Sequence, residues 1–321
     1  MNNQKSNTDA ASNVAIRNSW LTHHQRFHAI WITNLIPALG FIAAIMLIFF
    51  WGFGALEIWL LSSMYVLTII GIEVGFHRLF AHQSFHTYQW VEFLLSIFGC
   101  MGAQGPVIYW VANHRRHHKH SDTNGDPHSP FIYNGKKMGA LKGLFHAHVN
   151  WQVFHDPPNT ALFTKDLLKK KRILRVNRYY FYAILAGLIL PSIVGYLITW
   201  NYKGAIIGFL WGGLARIFIL NQVTFSINSF CHVYGSKPFK TKEGSRNNAL
   251  LALPTFGQSW HNNHHAFSYS ASVQFKPWQI DLAGMIIKIM GWCRLAWDIK
   301  KPDKTTVNAK IQELQSASTY I

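Results

Sequence analysis

The chain has 321 residues, half of them apolar, 15% aromatic and only 13% charged, with 30 Lys and Arg against 13 Asp and Glu. A chain this apolar has ample material to bury, which excludes intrinsic disorder. Three cysteines, Cys100, Cys231 and Cys293, exclude a disulfide scaffold and read as small apolar fillers.

A polar N-terminal segment, residues 1–24, comes first. Residues 29–51 then carry no charge, and 55–76 are as apolar apart from Glu57 and Glu73. Each is long enough to span a bilayer as a helix. Residues 93–112 are also uncharged, but Gly99, Gly102, Gly105 and Pro106 interrupt a continuous helix. That segment reads as a surface or re-entrant element. The stretches 179–202 and 204–228 form a second apolar pair, broken only by Lys203 and Arg216. The expected fold is therefore an all-α integral membrane protein. Four transmembrane helices lie at about 29–51, 55–76, 179–202 and 204–228. A helical cap covers 77–178 and 229–301, and 302–321 is a polar tail. The tract 113–178 holds 13 Lys and Arg, and 229–321 holds 11. By the positive-inside bias the cap, and with it both termini, face the cytoplasm. Basic residues placed beside apolar spans point to anionic lipid headgroups, and nucleic acid is not expected as a partner.

Eighteen histidines are far above background. Eight of them fall into three sets: His77 and His82, then His114, His117 and His118, then His261, His264 and His265. The last two sets share the pattern H-x-x-H-H, whose members lie on one face of a helix. Each such set is expected to aim three imidazoles at one point. Eight ligands exceed what one metal takes, so two metals are implied. His232 is a ninth candidate, and Asn228, one turn before it, could hold a metal-bound water. His120, His128, His146, His148 and His155 fall outside the pattern and read as interfacial or supporting histidines. Glu73, one turn before His77, is either interfacial or functional. Metals held by imidazole, with only Glu73, Asp122 and Asp126 nearby, suit oxygen activation at iron. Zinc hydrolysis uses fewer ligands and a carboxylate base. A membrane location implies a lipid-chain substrate.

The strings EVGFHRLFAHQSFHT, WVANHRRHHKHSDTNGDPHSP, NSFCHVYGSKPF and SRNNALLALPTFGQSWHNNHHAF carry a family resemblance. Over roughly residues 25–300 the chain resembles the membrane fatty-acyl desaturases of the acyl-CoA delta-9 (stearoyl-CoA) type. The resemblance implies a desaturase domain over 25–301 with four transmembrane helices, a cytosolic cap and two iron ions. The implied ligands are His77, His82, His114, His117, His118, His232, His261, His264 and His265, with Asn228 acting through water. It implies that Gln104, Trp110 and Thr224 shape the bend of a substrate tunnel and that Tyr65 closes it. It also implies O2 as co-substrate and a cis double bond placed at the ninth carbon of a long acyl chain. A ferredoxin, or cytochrome b5 with its reductase, is expected as a separate electron donor. Gly105, Ala112 and Asn113 depart from the head-binding residues of the animal enzymes, which leaves acyl-CoA, acyl-lipid and acyl-carrier protein open as carriers. A hydroxylase or acetylenase on the same scaffold is the alternative. A histidine-rich metal transporter fits less well, because transporters place their ligands within the spans.

Overall fold

The structure, a computed structural model, describes residues 14–319. Among the described residues, four helices are long and apolar enough to cross a membrane: α1 (Ser19–Trp51), α2 (Ala55–Ala81), α6 (Tyr180–Thr199) and α7 (Tyr202–Val233). The Asn18 side chain caps α1 by accepting from the Leu21 amide at 3.1 Å. The helix ends at Gly52, whose φ of 82° favours glycine. Glu57 sits in the first turn of α2, and its carboxylate accepts from the Gly54 amide at 3.0 Å. One of the two acids in that apolar stretch is thus a helix cap. Large apolar side chains such as Leu39, Ile42 and Phe49 on α1, and Leu185, Ile189 and Ile193 on α6, are exposed. Such faces suit lipid.

The uncharged segment 93–112 is broken, as its glycines and proline foretell. It contributes to α3 (Gln89–Cys100) and α4 (Val107–His120), joined by a turn at 101–106. Neither helix is long enough to cross a bilayer. α3 lies so close to α2 that a Cβ on Gly71 would fall 2.1 Å from the Gly99 amide nitrogen, so only glycine permits the contact. The turn is held from below by Arg216 of α7, which is fully buried. Its guanidinium donates to the carbonyls of Met101 (2.6 Å), Gly187 (3.0 Å) and Gly212 (3.2 Å). Gly187 lies four residues before Pro191 inside α6, so its carbonyl has no helical donor. Arg216 supplies that donor, which explains a charge inside an apolar span.

The cap includes short helices between 140 and 168, α5 (Lys171–Arg178), α8 (His261–Ala266) and α9 (Leu282–Trp292). It also has two antiparallel strand pairs of two residues each. β1 (His86–Thr87) pairs with β4 (Ala296–Trp297), and β2 (Ile132–Tyr133) with β3 (Lys136–Lys137). A core containing Ile72, Phe76, Phe80, Val107, Val111 and Leu220 joins the spans to the cap. Arg78 and Asp281 form a buried two-bond ion pair, at 2.6 and 3.1 Å, that ties α2 to the start of α9.

Within the described residues, parts of both terminal segments pack on the rest of the protein. Residues 1–13 lie outside the described residues, but Val14 is buried and the Ile16 amide donates to Pro157 at 2.8 Å. The first long helix takes in residues from Ser19 onward. At the other end, Lys304–Thr319 is a helix, α10. Val307 and Ile311 pack against the Phe239–Phe267 cluster, and Lys310 lies 4.5 Å from the Phe267 ring centre. Apolar residues spaced four apart in a polar sequence were sufficient to dock it.

Candidate metal centre

Four elements bring the nine histidines together. His77 sits in the wide π-helical last section of α2 (Gly71–Ala81), and His82 follows as its cap. π-turns of this kind are frequent at functional sites. His114, His117 and His118 lie on α4, His232 lies in the last turn of α7, and His261, His264 and His265 lie on α8. Their ring nitrogens form two groups, each within 4.8 Å of one another. His77, His82, His114, His118 and His264 form one, and His117, His232, His261 and His265 the other. The expectation that each H-x-x-H-H set serves one point is corrected. His114 and His118, four residues apart, face one group while His117 faces the other. On α8, His261 and His265 share one group and His264 joins the other. A step of four residues turns a helix by about 40° and a step of three by about −60°, so a set of this spacing divides between two adjacent points.

The facing atoms are all Nε2. His82 and His114 approach to 2.7 Å, His118 and His264 to 2.9 Å, and His77 and His264 to 3.2 Å. In the second group His232 and His265 each lie 3.1 Å from His261, and His117 lies 3.3 Å from His265. Carboxylates stand behind the rings. Asp126 accepts from His117 Nδ1 at 3.0 Å and Asp122 from His232 Nδ1 at 3.0 Å. Glu73 lies 3.2 Å from His77 Nδ1 and Glu243 3.6 Å from His265 Nδ1. A proton kept on Nδ1 leaves the Nε2 lone pair free, which is the ligating tautomer. Burial, reinforced by neighbouring imidazoles, holds His82, His114, His118, His261, His264 and His265 well below the usual histidine range. Burial, with His232 close by, pushes His117 down to about 3. Burial would raise the Asp122 carboxyl, but His232 and the Gly244 amide outweigh it and hold it below the usual range. Burial raises Asp126. Crowded, neutral nitrogen lone pairs with carboxylates behind them fit two cations.

The orienting role of Asp122 and Asp126 and the part played by Glu243 were not legible from spacing, although the first two follow the second histidine set closely. Gln258 was also missed, and its amide nitrogen lies 3.2 Å from His77 Nε2. Within the third set, Asn262 accepts from the Phe239 amide and Asn263 donates to the Val273 carbonyl, both at 2.8 Å. They fix α8 against its surrounding loops. Three of the histidines outside the pattern have neighbours of their own. His148 meets Ser229 and Gln222, His155 meets Trp151 and Asn113, and His128 stacks on His117.

A cavity of about 370 Å³ runs to the first histidine group. Gln104, Trp110, Thr224, Asn228 and His114 all line it. Trp110 stacks on His114, with ring centres 5.1 Å apart. Tyr65 is not among the lining residues of this cavity. Its hydroxyl donates to the Pro254 carbonyl at 2.6 Å, and its ring packs on the core.

The fatty acid desaturase family model matches residues 65–277. The chain is 45% identical over 297 residues to a hex-5-enoyl-[acyl-carrier protein] acetylenase of Moorena producens, covering 92% of each chain. It is 35% identical over 238 residues to an sn-1 stearoyl-lipid 9-desaturase of Anabaena variabilis, covering 73% of this chain and 80% of the relative. It is 33% identical over 242 residues to delta-9 acyl-lipid desaturase 1 of Arabidopsis thaliana, covering 75% and 74%. With its four apolar helices and paired histidine groups, the chain belongs to the fatty acid desaturase family, oxidoreductases that act on fatty acyl chains.

Proposed function

We propose that this protein is an oxygen-dependent acyl desaturase with two iron ions, one in each histidine group. The observation that carries this reading is the convergence of nine imidazoles into two adjacent groups at the end of an apolar cavity. His77, His82, His114, His118 and His264 would hold one ion, and His117, His232, His261 and His265 the other. Asn228 is the candidate to hold a water. An iron pair held by these residues would supply the oxidising chemistry that removes hydrogen from an unactivated carbon. The rest falls to the chain's own residues. Asp126 and Asp122 hold protons on Nδ1 of His117 and His232. Trp110 covers His114, and the cavity walls keep water from the reacting carbons.

A cis double bond at the ninth carbon is the finer expectation, and the Anabaena and Arabidopsis relatives carry that position in their names. Conversion of a double to a triple bond is the second reading, favoured by the Moorena relative. For the carrier, acyl-CoA, acyl-lipid and acyl-carrier protein are all compatible. Gly105 and Asn113 line the cavity, but the Gly105 amide donates to the Tyr180 hydroxyl at 3.0 Å and Asn113 meets His155. A separate ferredoxin or cytochrome b5 would deliver the electrons. The basic residues of 113–178 and 229–321 support a cytoplasmic site.

The test is fatty-acid profiling of a host expressing the protein, with metal analysis of the purified chain. New carbon–carbon unsaturation that requires oxygen, together with close to two irons per chain, is the expected result. One iron per chain, a zinc-dependent activity, or a hydroxylated product without unsaturation would refute it.

A further inference from the structure

We propose that the substrate is a short to medium acyl chain whose methyl end stops at the inner wall of the cavity. The oxidised bond is then the last or next-to-last of the chain. This deepens the acyl-oxidation reading above and rests on it.

The cavity has an open end and a closed one. Its outer lining includes the exposed side chains of His24, Arg178 and Phe181. Its inner end is closed by a run of hydrogen bonds. Trp110 Nε1 donates to Gln104 Oε1 at 3.0 Å, and Gln104 Nε2 donates to Asn221 Oδ1 at 3.1 Å. Asn221 Nδ2 then donates to the Thr33 carbonyl at 3.1 Å. These bonds link α4, α7 and α1 across the end of the cavity. Next to this wall the protein is filled. Ile72, Phe76 and Leu220 are completely buried. Phe76 packs on Trp110 with ring centres 5.7 Å apart. Ile72 and Leu220 close on Gly102 so tightly that a Cβ there would fall 3.0 and 3.3 Å from their methyl carbons. Tyr65 does not line this cavity, and its hydroxyl is tied to the Pro254 carbonyl.

His114 and Asn228 also line the cavity, so a chain that reaches the wall ends beside the histidine groups. The depth sets its length. Leu21 and Thr33, both lining, are separated by twelve residues of α1, or ~18 Å. An extended chain advances roughly 1.2 Å per atom, from about 3.6 Å per three-atom residue. On the order of fifteen atoms therefore fit between mouth and wall, carboxyl linkage included. A chain of about a dozen carbons or fewer meets both limits, and a long-chain acid does not. For a ten-carbon chain, the ninth-carbon position and the terminal bond coincide.

In the reaction, the last two carbons each lose one hydrogen and a carbon–carbon π bond forms between them. Dioxygen takes up those two hydrogens, two protons from solvent and two electrons from an external one-electron carrier protein, giving two waters. A saturated end becomes an alkene, and a second round on an alkene gives an alkyne.

The full chain in nanodiscs, loaded with iron and supplied with ferredoxin, its reductase and oxygen, should be offered pantetheine thioesters from six to eighteen carbons. Mass spectrometry locates the new bond. We expect terminal or next-to-terminal unsaturation from the six- to twelve-carbon chains. A methylene that does not fit a closed apolar pocket costs about 10–200-fold, so the sixteen- and eighteen-carbon chains should give at least ~10-fold less product. An internal double bond at a fixed distance from the carboxyl of the long chains overturns this inference and leaves the acyl-desaturase reading standing. No unsaturation from any chain overturns both. Gln104→Ala and Ile72→Ala should each extend the accepted length, and an unchanged profile in both variants counts against the wall. A readout without metal uses ω-bromodecanoyl pantetheine on the iron-free protein. Its quenching of tryptophan fluorescence should fall in Trp110→Phe, and equal quenching in both proteins overturns the seating of the methyl end.

Discussion

Replacing Asp281 by asparagine tests the cap's attachment to the spans. Its two carboxylate oxygens accept from Arg78 Nη1 and Nη2, the Ser272 hydroxyl and the Val273 and Gly284 amides, all between 2.6 and 3.1 Å. The side chains of Arg78 and Asp281 are only 2% and 0% exposed. An asparagine would keep the shape but turn an NH2 group toward donors and leave the guanidinium without a counter-charge. Breaking a buried pair from one side costs about 3–5 kcal/mol. At ~1.4 kcal/mol per tenfold, the folded-to-unfolded ratio falls by roughly two to four powers of ten. At roughly 2.1 cal/mol/K per residue, a chain of 321 residues loses about 1.5 °C of melting temperature per kcal/mol, which puts the drop at about 5–7 °C. Tryptophan fluorescence of the protein in nanodiscs reads it. The double variant Arg78→Met, Asp281→Asn should recover much of the loss, because it removes the unpaired guanidinium while the asparagine oxygen still accepts from a backbone amide. A melting point for Asp281→Asn within about 2 °C of the parent, or a double variant no better than the single one, would refute the reasoning.

His264→Ala should abolish activity while the protein stays folded and membrane-inserted, and His148→Ala should keep substantial activity because its partners are Ser229 and Gln222. Equal loss in both would remove the ligand assignment. His155 is buried and pushed down to about 3, first by burial and then by the Arg116 charge. It is neutral in the folded protein and titrates near 6.5 unfolded, so its stabilisation is full above that value and lost as the pH falls. At ~1.4 kcal/mol per pH unit, roughly 3 kcal/mol disappears between pH 6.5 and 4. The stability gap between parent and His155→Gln should shrink over that range, and a constant gap would contradict it. Cysteines placed at Tyr88 and His120, in a Cys293→Ser background, should both resist an impermeant reagent in intact spheroplasts. Labelling of one site alone would mean that α3 and α4 cross.

Much of the site was legible because histidine has few reasons to recur at fixed spacing. The four spans and the break at Gly99–Pro106 follow from hydropathy and backbone chemistry. The angular steps of the second set separate His117 from His114 and His118, but spacing does not say which histidines of the other elements join each group. Glu243 sits in a loop that only the fold brings to His265. The place of Tyr65 depends on Pro254, 189 residues away. The docking of α10 rests on Val307 and Ile311, two apolar residues in a segment whose composition reads as solvated.

Arg216 has a consequence for the order in which the protein is made. The Met101 carbonyl it satisfies is translated 115 residues earlier. At 5–20 residues per second, the ribosome needs on the order of ten seconds to supply the donor. Until then the Met101 carbonyl in the turn before α4 lacks its buried donor, and the second histidine set lacks the partners that α7 and α8 bring. Gly187 waits a shorter time for the same side chain. The first two spans and the second histidine set therefore remain an unfinished surface until the last span enters the bilayer. A nascent chain stalled before Arg216 would present its histidines loosely, to whichever cation or protease reached them first.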